Sequence, residues 1–259
     1  MDIPTFKAAM KRDGWVRFPG VVAPALIDRL NHDLAEAYKA CRVIQINNGV
    51  AEGMEGTAHH LIGQGDSFLE LLETLPLREH LRAHFGGSFI LNSMGGMFNL
   101  PTEKTYLNNI HRDVRTFSPA QQPLMLNMLI MLDDFTEENG ATYVLSGSHL
   151  QDEKPSEAVF FAGAQRLTGK AGDVVVFDSN MWHCAGKNTT QAPRRGITPL
   201  FTPPFLKQGC DYPRVLGYDY AARLSKPMKQ LLGYNSRVPA NLDEWYQPPD
   251  KRMYKAEEV

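Results

Sequence analysis

Short apolar runs separated by Gly-, Pro- and Asn-bearing turns occupy the chain from Phe85 to about residue 205, and they predict a mainly β protein, a sandwich or barrel. Helical periodicity lies mostly in the first 84 residues, which places most of the helices at the front of the sheets. One run, Leu124 to Leu132, is apolar on both faces and therefore reads as a central strand.

Each element has a local cause. A short helix opens residues 5–20 and is followed by Gly14-Trp15-Val16-Arg17-Phe18-Pro19-Gly20, an alternating strand closed by a turn. Pro24 starts a helix whose stripe is Leu26, Ile27, Leu30, Leu34 and Tyr38. Residues 45–66 turn glycine-rich around His59-His60, the character of a lid or binding loop. His60 is a candidate substrate contact; both histidines on one ion are disfavoured, because adjacent side chains diverge on a regular element. Asp66-Ser67 caps a helix running to about His84, bent by Pro76. His80 and His84, one turn apart with no acidic neighbour, read as packing or surface histidines.

Beyond Phe85 the strands follow. Ser88–Ser93 and Met97–Leu100 flank Gly95-Gly96, which suggests a bulge. Ala141–Leu145 is a strand, residues 151–170 are a polar excursion, and Val174–Asp178 runs on towards Trp182-His183. Arg194–Phe201 is the antiparallel return. The tail after residue 205 is proline-rich, with a short helix from Ser225 to Gly233 and aromatic anchors at Trp245-Tyr246 that would pack back on the domain. The expectation is a single domain over 1–259, with a core at about 85–205, N-terminal helices and lid at 1–84, and a C-terminal extension at 206–259.

Composition narrows function. Hydrophobic residues make up 43% and charged residues 22%, a soluble globular balance, and a net charge of −2 without a long basic run disfavours nucleic acid. No apolar stretch is long enough to span a membrane, and the N-terminus lacks a signal pattern. Three widely spaced cysteines, Cys41, Cys184 and Cys210, do not form a disulfide framework, so a cytoplasmic protein with reduced thiols is expected. Cys184 reads as a small buried apolar residue rather than a ligand.

The chemistry centres on His111-Arg112-Asp113. Two residues apart on an extended segment, the imidazole and the carboxylate share a face and suit adjacent corners of a metal octahedron. A second imidazole from a later strand would complete the two-histidine, one-carboxylate facial set of non-haem Fe(II) oxygenases. His183 is the choice, and His149, at a turn after a strand end, is its rival. Asn127, the single polar member of the central strand, must hydrogen-bond either backbone or a ligand.

The ordered set His111-Arg112-Asp113, Leu132-Asp133-Asp134-Phe135, Gly140-Ala141-Thr142, Gly147-Ser148-His149, Gly172-Asp173-Val174, His183 and Arg194 resembles the phytanoyl-CoA dioxygenase (PhyH) family, over about residues 10 to 205. The resemblance implies a double-stranded β-helix (jelly-roll, cupin-like) fold. It also implies an oxygenase using Fe(II), 2-oxoglutarate and O2, which hydroxylates a small molecule while 2-oxoglutarate becomes succinate and CO2. His111, Asp113 and His183 would be the iron ligands. Arg194, eleven residues after His183, would clamp the far carboxylate of 2-oxoglutarate, a task suited to a planar bidentate fork. Arg195 would face away. Asn127 sits where the family has a polar co-substrate contact, with a core amide as the equal alternative; Asn99 is a similar candidate for which the core amide is favoured. Arg115, two residues past Asp113, would face either the pocket, to meet an anionic substrate, or solvent. A carboxylate at Asp113 argues for hydroxylation, because related halogenases carry a small residue there. The lid's histidines and asparagines point to a polar substrate. Two other readings compete: a jelly-roll metalloprotein acting without 2-oxoglutarate as an isomerase or hydrolase, and a non-catalytic binding module.

Overall fold

The computed structural model describes residues 1–75, 77–101, 106–114, 117 and 123–254. Pro76, with its assigned bend, and Arg115 lie outside the described residues. Helices α1 (Ile3–Asp13), α2 (Pro24–Asn47), α3 (Asp66–Glu73) and α4 (Arg78–Phe85) form the front, α5 (Glu157–Gly163) interrupts the strands, and α6 (Tyr212–Leu216), α7 (Lys226–Leu231) and α8 (Leu242–Trp245) follow them. The strands are β1 (Trp15–Phe18), β2 (Thr57–Ala58), β3 (Ile90–Asn99), β4 (Leu126–Met131), β5 (Tyr143–Val144), β6 (Gln165–Arg166), β7 (Val174–Asp178), β8 (His183–Cys184) and β9 (Arg194–Thr202).

Among the described residues these strands make a six-stranded sheet in the order β1-β7-β4-β9-β3-β2 and a three-stranded sheet in the order β6-β5-β8. Every pairing is antiparallel. This is the jelly roll. Strand β4 sits between β7 and β9, and all six of its residues are buried, as its two apolar faces require. Alternation along β4 and β7 divides the core. Leu129, Met131, Val175 and Phe177 face the small sheet with Val144, whereas Met128, Ile130, Val174 and Val176 face the helical layer with Leu30, Leu34 and Phe68.

Several boundaries differ from the sequence reading, each for a tertiary reason. Helix α2 runs to Asn47 instead of yielding to loop at 45. Helix α3 has Gly65 as its N-cap residue with no side-chain cap there. The capping acceptor comes instead from α2, where Asp33 Oδ2 takes hydrogen bonds from the Ser67 N–H (3.1 Å) and hydroxyl (2.7 Å). Strand β3 is continuous, and its register shift falls between Leu91 and Ser93 rather than at Gly95-Gly96. Gly96 serves close packing, since a Cβ there would drive into Leu34 Cδ1. The polar excursion contains α5 and β6. Trp245 and Tyr246 are 63% and 77% exposed, so the expected aromatic anchors do not pack back.

Strand β7 ends at Asp178 rather than continuing to His183. The Asn180 backbone N–H (2.8 Å) and side-chain amide (3.1 Å) both donate to Asp178 Oδ1, which closes a turn and sends the chain across to the small sheet. There β8 carries His183. His80 packs edge-on and His84 at a tilt against Phe6, outside the candidate metal cluster, and burial pulls the His84 imidazole down to about 4.

Candidate metal centre and its cavity

His111 and His183 meet because their backbones pair. The His111 N–H donates to the His183 carbonyl (3.0 Å) and the His183 N–H returns the bond (2.9 Å), which extends the small sheet by one residue. Their rings lie 4.3 Å apart between centroids. Asp113 is fixed by its own N–H, which donates to the Ser179 carbonyl (3.0 Å) in the turn that follows β7. His111 Nε2 lies 3.7 Å from Asp113 Oδ1, and His183 Nε2 lies 3.6 Å from Asp113 Oδ2. One ligand atom from each residue falls within 4.8 Å of the others, and no other such group of His, Cys, Asp or Glu occurs among the described residues. Adjacent corners of an octahedron with ~2.1 Å bonds lie about 3 Å apart, so a small contraction closes the set on an ion.

The tautomers agree with that use. His111 Nδ1 lies 2.7 Å from the Asn109 carbonyl and His183 Nδ1 lies 2.9 Å from the Met181 carbonyl. A carbonyl only accepts, so each Nδ1 carries the proton and each Nε2 presents a lone pair towards Asp113. Burial, reinforced by His183, holds the His111 imidazole below its ordinary range despite the opposing pull of Asp113. His149, the rival, is buried elsewhere, with its ring against Gly14, where a Cβ would strike His149 Nδ1.

The cluster opens into a cavity of about 290 Å³. Its floor is the inner face of the large sheet. By register Leu200 and Ser93 form one rung, Thr198 and Gly95 the next, Gly196 and Met97 the next, and Arg194 and Asn99 the last. Asn127 and Leu129 of β4 and Phe177 of β7 complete it. Asn127 points inward, and its amide donates to Asp113 Oδ2 while its own Oδ1 is buried without a partner. The alternation that marked Arg194 as inward also marks Thr198 and Leu200, two lining residues that the sequence reading did not single out.

Arg194 lies at the far end of this face and is 1% exposed. Its Nη2 donates to the Gly140 carbonyl (2.9 Å), its Nε to the Asn139 carbonyl (3.4 Å), and its Nη1 meets only the Met97 sulfur (3.7 Å). Phe135 stacks on the guanidinium 4.0 Å away. None of these partners is a carboxylate. Met97, whose sulfur meets Arg194, lines the cavity, whereas Arg194 itself is not among the lining residues. Burial pulls the guanidinium down to about 9, with Asp133 opposing, so it remains charged at neutral pH. Asp133 is itself engaged by Arg195, through its N–H (2.7 Å), Nε (3.0 Å) and Nη2 (2.6 Å). Arg195 thus faces away, as alternation requires, and is an ion-pair partner.

Asn99 does not line the cavity. Its amide donates to the carbonyls of Asn139 (3.2 Å), Gly140 (3.3 Å) and Gly186 (3.0 Å), so it is a core amide bracing the two carbonyls that hold Arg194. Cys184 is buried, and desolvation raises its thiol to about 11. His60 does line the cavity, and so does His59. Adjacent residues reach one space because His60 adopts φ 56°, the single non-glycine residue with positive φ among those described. Tyr212, which bonds His60, comes from the C-terminal region, and no local signal connects it to the cavity.

A jelly roll with two imidazoles and one carboxylate converging on its cavity belongs to the class of folds that hold a single metal ion with open coordination positions. A match to phytanoyl-CoA dioxygenase (PhyH) covers residues 10–196, and the chain belongs to that family. It is 38% identical over 195 residues to an uncharacterized protein of Mycobacterium tuberculosis, across 73% of this chain and 70% of that one. It is 27% identical over 206 residues to the dioxygenase trt7 of Aspergillus terreus, across 73% and 69% of the two chains. Its fold is similar to that of SnoN, a non-heme alpha ketoglutarate dependent epimerase from nogalamycin biosynthesis, with a TM-score of 0.59, 18% identity and coverage of 78% and 80%. SnoN has also been crystallised with Fe3+, alpha ketoglutarate and nogalamycin RO.

Proposed function

We propose that the protein is an Fe(II)- and 2-oxoglutarate-dependent hydroxylase of a small molecule. The observation that carries this reading is Arg194, a fully buried cation whose described partners include no carboxylate. A buried cation without a directly paired carboxylate is costly, and an incoming anion would relieve that cost. Neither a metalloprotein working without 2-oxoglutarate nor a binding module that has lost its chemistry needs it.

In this reading His111, Asp113 and His183 hold the iron, and Asn127 holds Asp113 in place. Arg194 would receive the distal carboxylate of 2-oxoglutarate, and Asn99 stiffens the arginine's seat through the Asn139 and Gly140 carbonyls. Arg115 keeps its assignment to the substrate side. Residues 85–205 form the catalytic core of one domain, the front helices and lid come from 1–84, and 206–259 close the structure. With O2, the bound metal and co-substrate supply the oxidant, and 2-oxoglutarate leaves as succinate and CO2. The protein orients the substrate and keeps water away.

The test is an anaerobic titration with Fe(II) and then 2-oxoglutarate, following the visible charge-transfer band of the chelate in wild type and in His183→Ala. The expected result is a band in the first and none in the second. Iron bound without a band in wild type would overturn the reading. The likeness to SnoN favours one second reading, an epimerase on the same loaded site. Product mass separates the two, since hydroxylation adds one oxygen atom and epimerisation adds none.

A further inference from the structure

The part of the cavity lined by His59 and His60 is left without a role by the reading of the metal centre. There the chain holds His60 at φ 56°, a conformation that a non-glycine residue adopts at a cost of about 1–3 kcal/mol. The strain presents two consecutive imidazoles to one space. Each is braced by a phenol: His59 Nε2 lies 3.2 Å from the Tyr106 hydroxyl, and His60 Nδ1 lies 3.3 Å from the Tyr212 hydroxyl. His59 and Tyr106 keep solvent exposure while Tyr212 is buried, and partial desolvation holds both imidazoles below and both phenols above their ordinary values, so all four groups are neutral at neutral pH. The wall next to them is apolar, with Ala58, Met94, Met97 and Leu107. Among the described lining residues the one permanently charged side chain is Asp113, and none is a cation.

We infer that this part of the cavity takes a neutral, largely apolar substrate bearing a hydroxyl or carbonyl oxygen, read by His59 and His60. Each imidazole has one nitrogen turned to its phenol and one left for the ligand, which suits hydrogen bonding to an uncharged oxygen. Charge argues the same way. Two positive charges from the iron and one from Arg194 balance one from Asp113 and two from 2-oxoglutarate, so the loaded site is already neutral. A further carboxylate would find no counter-ion among the described lining residues. The inference rests on the 2-oxoglutarate reading above and gives its substrate site a chemical class.

The experiment uses matched pairs on the full-length protein loaded anaerobically with Fe(II) and 2-oxoglutarate. Octanol and octanoate, benzyl alcohol and benzoate, and 1-adamantanol and 1-adamantanecarboxylate are titrated while the chelate band is followed. The alcohols are expected to perturb the band at concentrations at least about tenfold below their carboxylates. In His60→Gly, which relieves the strained φ, and in His59→Phe, the band should form as in wild type while the alcohols lose at least about fivefold in affinity. Carboxylates binding as tightly as the alcohols, no alcohol perturbing the band, or wild-type alcohol affinity in both variants would each overturn the inference. Absence of the band itself, before any alcohol is added, would instead overturn the co-substrate reading, so the two failures are distinguishable.

Discussion

Arg194 and Arg195 are neighbours on β9, yet they solve opposite problems. Arg195, on the outer face, is locked to Asp133 by two side-chain bonds of 3.0 and 2.6 Å. Arg194, on the inner face, is buried with two carbonyls, a sulfur and a ring for company. An arginine that braces a fold brings its counter-ion with it. One that waits for a ligand leaves the place open and destabilises the empty protein. Sequence alternation separates the two faces, but only the contacts tell the arginine with a paired carboxylate from the one without.

That contrast can be broken in several ways. The largest effect is on co-substrate binding. Arg194→Met should weaken 2-oxoglutarate by about a thousandfold, or about 4 kcal/mol, while Arg195→Met stays near wild type, as measured by anaerobic calorimetry on the Fe(II) protein. A buried base able to shed its proton sharpens the point. His84 falls to about 4 in the folded state against an ordinary value of 6.5, so the unfolded chain binds more protons between those values. Stability should therefore drop as pH falls from 6.5 towards 4, by up to about 3 kcal/mol, and His84→Gln should remove that slope in urea titrations. Arg194 has no such escape.

Smaller effects should differ in sign. Without ligands, Arg195→Met should lower stability by about 1 kcal/mol, because it leaves a half-buried Asp133 unpaired. Arg194→Met should leave stability unchanged or raise it, because it replaces an unpaired buried charge with an apolar side chain. Denaturant unfolding of both variants reads the difference. If both lost stability equally, Arg194 would be a brace as well.

Much of the core was legible because strand period and turn residues are local. Strands β4, β7 and β9 fall where alternation and the Gly172 and Asn188 turns place them. The metal cluster was legible because two of its members sit two residues apart. What escaped depends on distant partners. The capping of α3 by Asp33 comes from another helix, and the single strand through Gly95-Gly96 is explained by Leu34 rather than by a bulge. For Asn99 the favoured reading, a core amide, is the one found, but its partners, the carbonyls of Asn139, Gly140 and Gly186, lie on loops that no local signal joins to it. The approach of both His59 and His60 to one cavity depends on the positive φ of His60, which no local sequence signal marks.

The most direct measurement compares 2-oxoglutarate with 2-oxopentanoate, which keeps the chelating end and replaces the distal carboxylate with a methyl group. Both are titrated anaerobically into Fe(II)-loaded wild type, Arg194→Met and Arg195→Met. Wild type and Arg195→Met should prefer 2-oxoglutarate by about a thousandfold, and Arg194→Met should scarcely distinguish the two. A preference that survives intact in Arg194→Met would contradict the account and send the carboxylate to another cation.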